Sequence, residues 1–190
     1  MMDGARMYFI AIVAPAEVNE QVLKWKQYMQ DHFGCTVALR SPAHITLIPP
    51  FWMQQELEPA LTNDLSAFAA RQSSFTITLR NFDAFKPRVI FVHVEPHPAL
   101  EELKKALEEF LLARNKYPIK KESRAFHPHV TIANRDLRKK DFIVAFDHFS
   151  KRAYQAEFSV RQLVLLQHTG TQWEVRHASA FENKNTNGII

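Results

Sequence analysis

Cysteine and glycine are scarce: the 190 residues hold one of the first, Cys35, and four of the second. A lone cysteine excludes an internal disulfide and a cysteine metal cluster, and it fits a reducing compartment. Few glycines argue against a glycine-rich phosphate loop, and neither GxGxxG nor a P-loop pattern occurs. No run of about 18 apolar residues is present, which excludes a transmembrane helix. The opening MMDGARMYFIAIVAPAE has too short an apolar run to span a bilayer and leads into an amphipathic segment rather than a cleavage site. A cytoplasmic protein with no membrane partner is expected. A large excess of one sign of charge is also lacking: 24 Lys and Arg against 20 Asp and Glu leave a net charge of +4, with a pI of about 9.2. That excess is compatible with an anionic substrate without demanding one.

Apolar residues, by contrast, are abundant. Hydrophobic residues make up 46% of the chain, and the 15 Phe alone supply much of a core. One domain, or two small lobes sharing a core, suits this length. Much of the basic excess sits at 116–124 and 135–140, the two flanks of the most informative stretch, FHPHVTIA at 126–133.

The core of that stretch is His129-Val130-Thr131-Ile132, and the same word appears once before as His44-Ile45-Thr46-Leu47. Successive side chains of a strand point to opposite faces, so His and Thr two positions apart share one face, about 7 Å apart. The intervening Ile45, Leu47, Val130 and Ile132 face the other way and are apolar. Nine His and nine Thr in 190 residues make fewer than one His-x-Thr expected by chance, so a single occurrence carries nothing. The pair carries more, because both copies keep apolar residues on the opposite face and sit in corresponding places of a larger repeat.

The repeat is legible in the order of elements. Residues 8–13 read as a buried strand, 15–32 as a helix closed by Gly34, 36–39 as a short strand, and 44–48 as the first motif strand, stopped by Pro49-Pro50. Residues 55–71 read as a helix, 75–80 as a strand, and 81–87 as a turn. The pattern then restarts with a strand at 89–94, a helix at 98–114, a lysine-rich loop at 115–125, and the second motif strand. A helix at 138–150 follows, then strands at 154–160, 163–167 and 173–181. Phe9 and Phe91, His44 and His129, and Phe75 and Phe158 lie at similar offsets. A duplication is expected, with halves at about 7–87 and 88–181 in a single bilobal unit spanning 1–190 and a frayed tail at 182–190. It implies two α+β lobes about a pseudo-twofold axis that brings the two motifs to one cleft.

These paired motifs resemble those of the two-histidine (2H) phosphoesterases, in the branch of the 2'-5' RNA ligase-like proteins and RNA 2',3'-cyclic phosphodiesterases. The resemblance covers about residues 7–181 and includes RVIFVHV with its following helix. It implies an α+β, bilobal fold with antiparallel sheets flanked by helices and a central cleft. It further implies His44, Thr46, His129 and Thr131 as the catalytic set and no cofactor or metal. The substrates it implies are RNA ends or small nucleotides with a cyclic phosphate, acted on by a monomer. Two features depart from the family pattern. Asn134 stands where many ligase-like members have Arg, with Arg135 one step later, and PPFW replaces a glycine after the first motif.

The residue types suit the chemistry. Hydrolysing a cyclic phosphodiester needs one group to take a proton from water and one to protonate the leaving oxygen, and imidazole titrates near operating pH. Threonine hydroxyls donate to non-bridging oxygens. Base recognition needs a flat surface, for which Phe51, Trp52, Tyr117 and Phe126 are candidates, with core packing the alternative for each. Arg88, Arg124 and Arg135 are candidate phosphate contacts. Two other classes stay open: a nucleotide-binding module without turnover, and a metal-dependent hydrolase using His127, His129 and a third ligand.

Overall fold

The apolar runs at 8–13, 89–94 and 163–167 become sheet strands, and the computed structural model describes residues 4–182. β1 (Ala5–Val13) is buried along its centre because Tyr8 to Ile12 are apolar on both faces. α1 (Ala16–Phe33) buries Val18, Val22, Trp25 and Met29 at helical spacing. Gly34 ends it at φ 70°, in the left-handed region that glycine enters at no steric cost, and donates its N–H to the Gln30 carbonyl. The expected short strand at 36–39 is instead a 3-10 helix, Val37–Arg40.

β2 (His44–Gln54) runs straight through Pro49 and Pro50, where the sequence suggested a stop. β2 is an edge strand, so prolines on its open side remove no ladder hydrogen bond. The pairing with β1 shifts register between Tyr8 and Ile10 opposite these prolines. A one-turn 3-10 helix, Gln55–Leu57, precedes α2 (Glu58–Ala69). β3 (Phe75–Phe85) also outruns its expected end. Asn81 adopts φ 55° at a register shift between Leu79 and Phe82, and the strand resumes beyond it. Then come β4 (Val89–Val94), α3 (Pro98–Arg114), β5 (His129–Ala133), α4 (Phe142–Ser150), β6 (Gln155–Val160), β7 (Gln162–His168) and β8 (Trp173–Ala180). α4 starts four residues later than the periodicity predicts. Of the expected tail, residues 183–190 lie outside the described residues.

The strands form two antiparallel four-stranded sheets, β2-β1-β7-β8 and β5-β4-β3-β6. The two sheets and their flanking helices give the α+β, bilobal architecture expected. In each sheet the motif strand is at the edge and its neighbour is the strand that opens the corresponding half. Thus His44 and His129, and Phe9 and Phe91, do occupy corresponding places. Phe75 and Phe158 do not. They lie on β3 and β6, which pair with each other in one sheet, where Ile77 stands opposite Phe158. The halves interleave: β3 joins the second sheet, and β7 and β8 return to the first. One continuous core, from Tyr8 to Phe181, fills the space between sheets and helices. A smaller cluster of Phe9, Ala11, Val164 and Leu166 lies apart from it on the opposite face of the first sheet. The edge strands β2 and β5 contact each other, and α1 reaches β5 while α3 reaches β2. Among the described residues no helix is long and apolar enough to cross a membrane.

Candidate active site

The two motifs, 44–47 and 129–132, alternate strictly along their strands. Ile45 and Leu47 are 1% exposed, Val130 and Ile132 fully buried, and these four anchor β2 and β5 in the core. His44, Thr46, His129 and Thr131 consequently point the other way and are half-buried. All four line one cavity of about 250 Å³. Arg135 and Trp173 stand in the same wall, and among its lining residues there is no carboxylate. Two imidazoles, two hydroxyls and a guanidinium without an opposing acid make a cavity suited to an anion.

The imidazoles are held alike. His44 Nδ1 donates to the Pro42 carbonyl and His129 Nδ1 to the His127 carbonyl, each at 2.7 Å and each two residues upstream. A carbonyl only accepts, so the proton is on Nδ1 and Nε2 is left to the cavity. Each ring also packs on a phenylalanine of the neighbouring strand. Phe9 lies 4.8 Å from His44, and Phe91 lies 5.0 Å from His129, which Phe85 contacts as well.

Burial lowers both basicities. His44 is driven down to about 4, chiefly by desolvation, with further contributions from the Lys26 ammonium and His129 and a partial offset from the Pro42 hydrogen bond. His129 is also lowered, by desolvation first, again partly offset by its backbone bond. The unliganded protein therefore holds both rings neutral near pH 7.

A second cavity of about 460 Å³ adjoins the first and shares Thr46 and His129 with it. Its walls include Phe85, Arg124, Phe126 and His127. Of the substrate-contact candidates from the sequence, Arg124 and Phe126 are thus in the second cavity and Arg135 in the first. Arg124 is highly exposed and pairs with Glu122. Trp52 is 59% exposed and stands opposite Met7, on the cleft side of the first sheet. Phe51 points into the core and packs near Tyr8. Tyr117 is buried, and its hydroxyl donates to Asp64 at 2.6 Å, tethering the 115–128 loop to α2. Packing, the alternative for these two, is what the fold provides. Arg88 is exposed in the turn between β3 and β4.

Sequence reasoning passed over several residues. Trp173 enters the cavity wall from the β7–β8 hairpin and packs edge-on against Phe9 at 4.5 Å. Phe85 was hidden in an expected turn. Asp136 accepts from the Thr36 and Val37 N–H groups at 2.6 and 2.9 Å, tying the segment after β5 to the 3-10 helix before β2. Nothing local marks Trp173 or Asp136, since each is defined by a partner about 100 residues away or more, and Phe85 is defined by His127 and His129 on the far side of α3 in the sequence. His127 is exposed at the rim of the second cavity, and among the described residues no three His, Cys, Asp or Glu side chains are placed to hold a metal ion.

Comparison with known proteins agrees with this geometry. A protein of Geobacillus kaustophilus (strain HTA426), named "Putative phosphoesterase", is 26% identical over 182 residues, covering 94% of this chain and 98% of its own. The structure of E. coli LigT complexed with 3'-AMP superposes with a TM-score of 0.69 at 23% identity, and LigT complexed with ATP with 0.65 at 25%. Each alignment covers 94% of this chain and 99% of LigT. The model of the 2'-5' RNA ligase superfamily matches residues 14–172. With two edge strands each presenting His and Thr to one cleft, and with that match, the chain belongs to the 2'-5' RNA ligase superfamily of 2H phosphoesterases.

Proposed function

We propose that the protein is a metal-independent phosphoesterase that hydrolyses 2',3'-cyclic or 2'-5'-linked phosphodiesters of RNA ends or nucleotides. The observation that carries this reading is the pair of Nδ1-anchored histidines sharing one cavity with two threonines. A phosphate seated there meets one imidazole Nε2 on each side. One neutral ring takes a proton from water as its oxygen attacks phosphorus. The other, protonated, gives its proton to the departing ribose oxygen as the P–O bond breaks. Run backwards, with the roles exchanged, the same steps join a hydroxyl to a cyclic phosphate, which is the ligase direction. Thr46 and Thr131 donate to the non-bridging oxygens, where charge builds in the transition state.

Because both rings are neutral in the free protein, one must acquire a proton when the anion binds. The phosphate's negative charge favours that protonation, and Nε2 is the site it faces. The second cavity, with Phe85 and Phe126, supplies aromatic surface for a base. The ATP complex of LigT supports a nucleotide ligand. One chain carries both histidines, so a monomer suffices, and a single buried thiol suits the cytoplasm.

The test is turnover of 2',3'-cyclic AMP by the wild type, with and without EDTA, and by His44→Ala and His129→Ala. Activity indifferent to EDTA and abolished in each folded variant is expected. Loss with EDTA refutes the metal-free scheme. Turnover retained in either single variant refutes the two-histidine assignment, and binding without any turnover in the wild type leaves a nucleotide-binding module.

A further inference from the structure

The segment that delivers the first histidine is held by a buried cation that the proposed chemistry does not use. Lys26, on α1, is only 4% exposed, and its Nζ donates to the Ser41 carbonyl at 2.9 Å. Among the described residues no carboxylate pairs with it. Seven residues earlier on the same helix Asn19 does related work: its Oδ1 accepts from the Ala43 N–H at 2.6 Å, while its Nδ2 donates to the Ala14 carbonyl. The Ala43 carbonyl in turn accepts from the Ala14 N–H at 2.9 Å. The Ser41 carbonyl and the Ala43 N–H are therefore held by α1, and the Ala43 carbonyl by Ala14, two residues before that helix. The Pro42 carbonyl, between these held groups, is the one that His44 Nδ1 binds.

We propose that Lys26 and Asn19 are positioning residues that clamp the Ser41–Ala43 segment, so that the Pro42 carbonyl fixes the tautomer and direction of the His44 ring. The proposal rests on the reading of His44 as one of the catalytic pair. A buried ammonium with no counter-ion is costly, and an apolar side chain of similar volume often serves stability as well or better. What the apolar side chain cannot do is hold the Ser41 carbonyl. Among the described residues the second motif has no such clamp. Its approach is a long loop, tethered where Glu108 accepts from the Glu122 N–H and where Tyr117 meets Asp64. Lys26 also acts on the His44 ring through space. The charged or titratable groups facing that ring are Lys26 from α1, His129 from β5 and Arg135 from the segment after β5.

The experiment compares Lys26→Met, Lys26→Arg and Asn19→Ala with the wild type by 2',3'-cyclic AMP turnover against pH, by NMR titration of the histidines and by thermal unfolding. Lys26→Met is expected to unfold at or above the wild-type temperature, yet to lose roughly tenfold in kcat/KM through misplacement of the ring. One limb of its pH profile and the His44 titration should both move to higher pH, with His129 unmoved. Lys26→Arg should recover part of the loss, since it keeps a donor for the Ser41 carbonyl as well as the charge. Wild-type kcat/KM with an unshifted His44 titration in Lys26→Met overturns the proposal. Should that variant fail to fold, Asn19→Ala decides: reduced kcat with an unmoved His44 titration supports the clamp, and full activity overturns it. If His44→Ala itself is active, the catalytic reading fails instead, while the NMR titration still reports whether Lys26 governs the ring.

Discussion

His44 and His129, 85 residues apart in sequence, are anchored identically. Each gives its Nδ1 proton to the carbonyl two residues upstream, and both hydrogen bonds measure 2.7 Å. Each ring rests on the phenylalanine of the strand next to its own, Phe9 or Phe91. Such agreement at two sites gives both Nε2 atoms the same freedom to exchange a proton with whatever lies between them.

Loss of either imidazole should therefore be nearly as severe as loss of both. His44→Ala and His129→Ala are each expected to lower kcat by about 10²–10⁴. The double variant should fall little further, because acid and base act in one step. Single-turnover kinetics checks this, with circular dichroism to confirm folding.

Activity should peak on the acid side of neutrality. His44 titrates at about 4 in the free protein rather than at 6.5, and His129 is lowered as well. The state with one ring protonated and one neutral is thus most populated below pH 6.5. The profile of kcat/KM, which reports the free enzyme, should be a bell with its apex in that range. The profile of kcat should peak at higher pH, since bound phosphate favours the imidazolium. A kcat/KM apex above pH 7.5 would contradict the burial argument.

Stability should carry the same signature. A histidine kept neutral by burial binds its proton less readily folded than unfolded. Below about 6.5 the unfolded chain takes up the proton first, so the folded state loses stability as pH falls from 6.5 towards 4. For His44 the loss is at most about 3 kcal/mol. Urea unfolding at several pH values should show it in the wild type and show less of it in His44→Gln.

The hydroxyls are expected to act on the transition state. Thr46→Val and Thr131→Val keep the shape and remove one donor each. A fall in kcat of about 10²-fold or more, with KM little changed, is the outcome for a donor to developing charge. A change confined to KM would show that these groups serve ground-state binding only.

Tyr117 should matter to stability rather than to chemistry. Its hydroxyl bond to Asp64 is partly buried and meets a carboxylate. Tyr117→Phe should cost about 1–3 kcal/mol in denaturant unfolding and leave kcat close to wild type.

Much of this site was legible in the chain. Period-two alternation placed His44 with Thr46 and His129 with Thr131, and the apolar residues between them showed which face would be buried. The agreement of the two copies within a repeat pointed to a shared cleft. What misled was local punctuation. Pro49-Pro50 reads as the end of a strand, yet at a sheet edge the missing N–H groups have no partner to lose. Residues 81–87 read as a turn, yet Asn81 in the left-handed region lets β3 bend and continue to Phe85.

Side-chain periodicity and residue chemistry are local properties, and from them the sequence alone determined which faces carry imidazole and hydroxyl and that two such faces exist. Only the tertiary structure decided that β2 and β5 are the edges of different sheets set against each other, that β3 and β7 exchange lobes, that Trp173 lines the cleft, and that Asp136 and Lys26 hold the backbone leading to His44. Those outcomes depend on pairings and burial between segments far apart in the chain, where the free energy is settled by the whole core and not by any window of neighbouring residues.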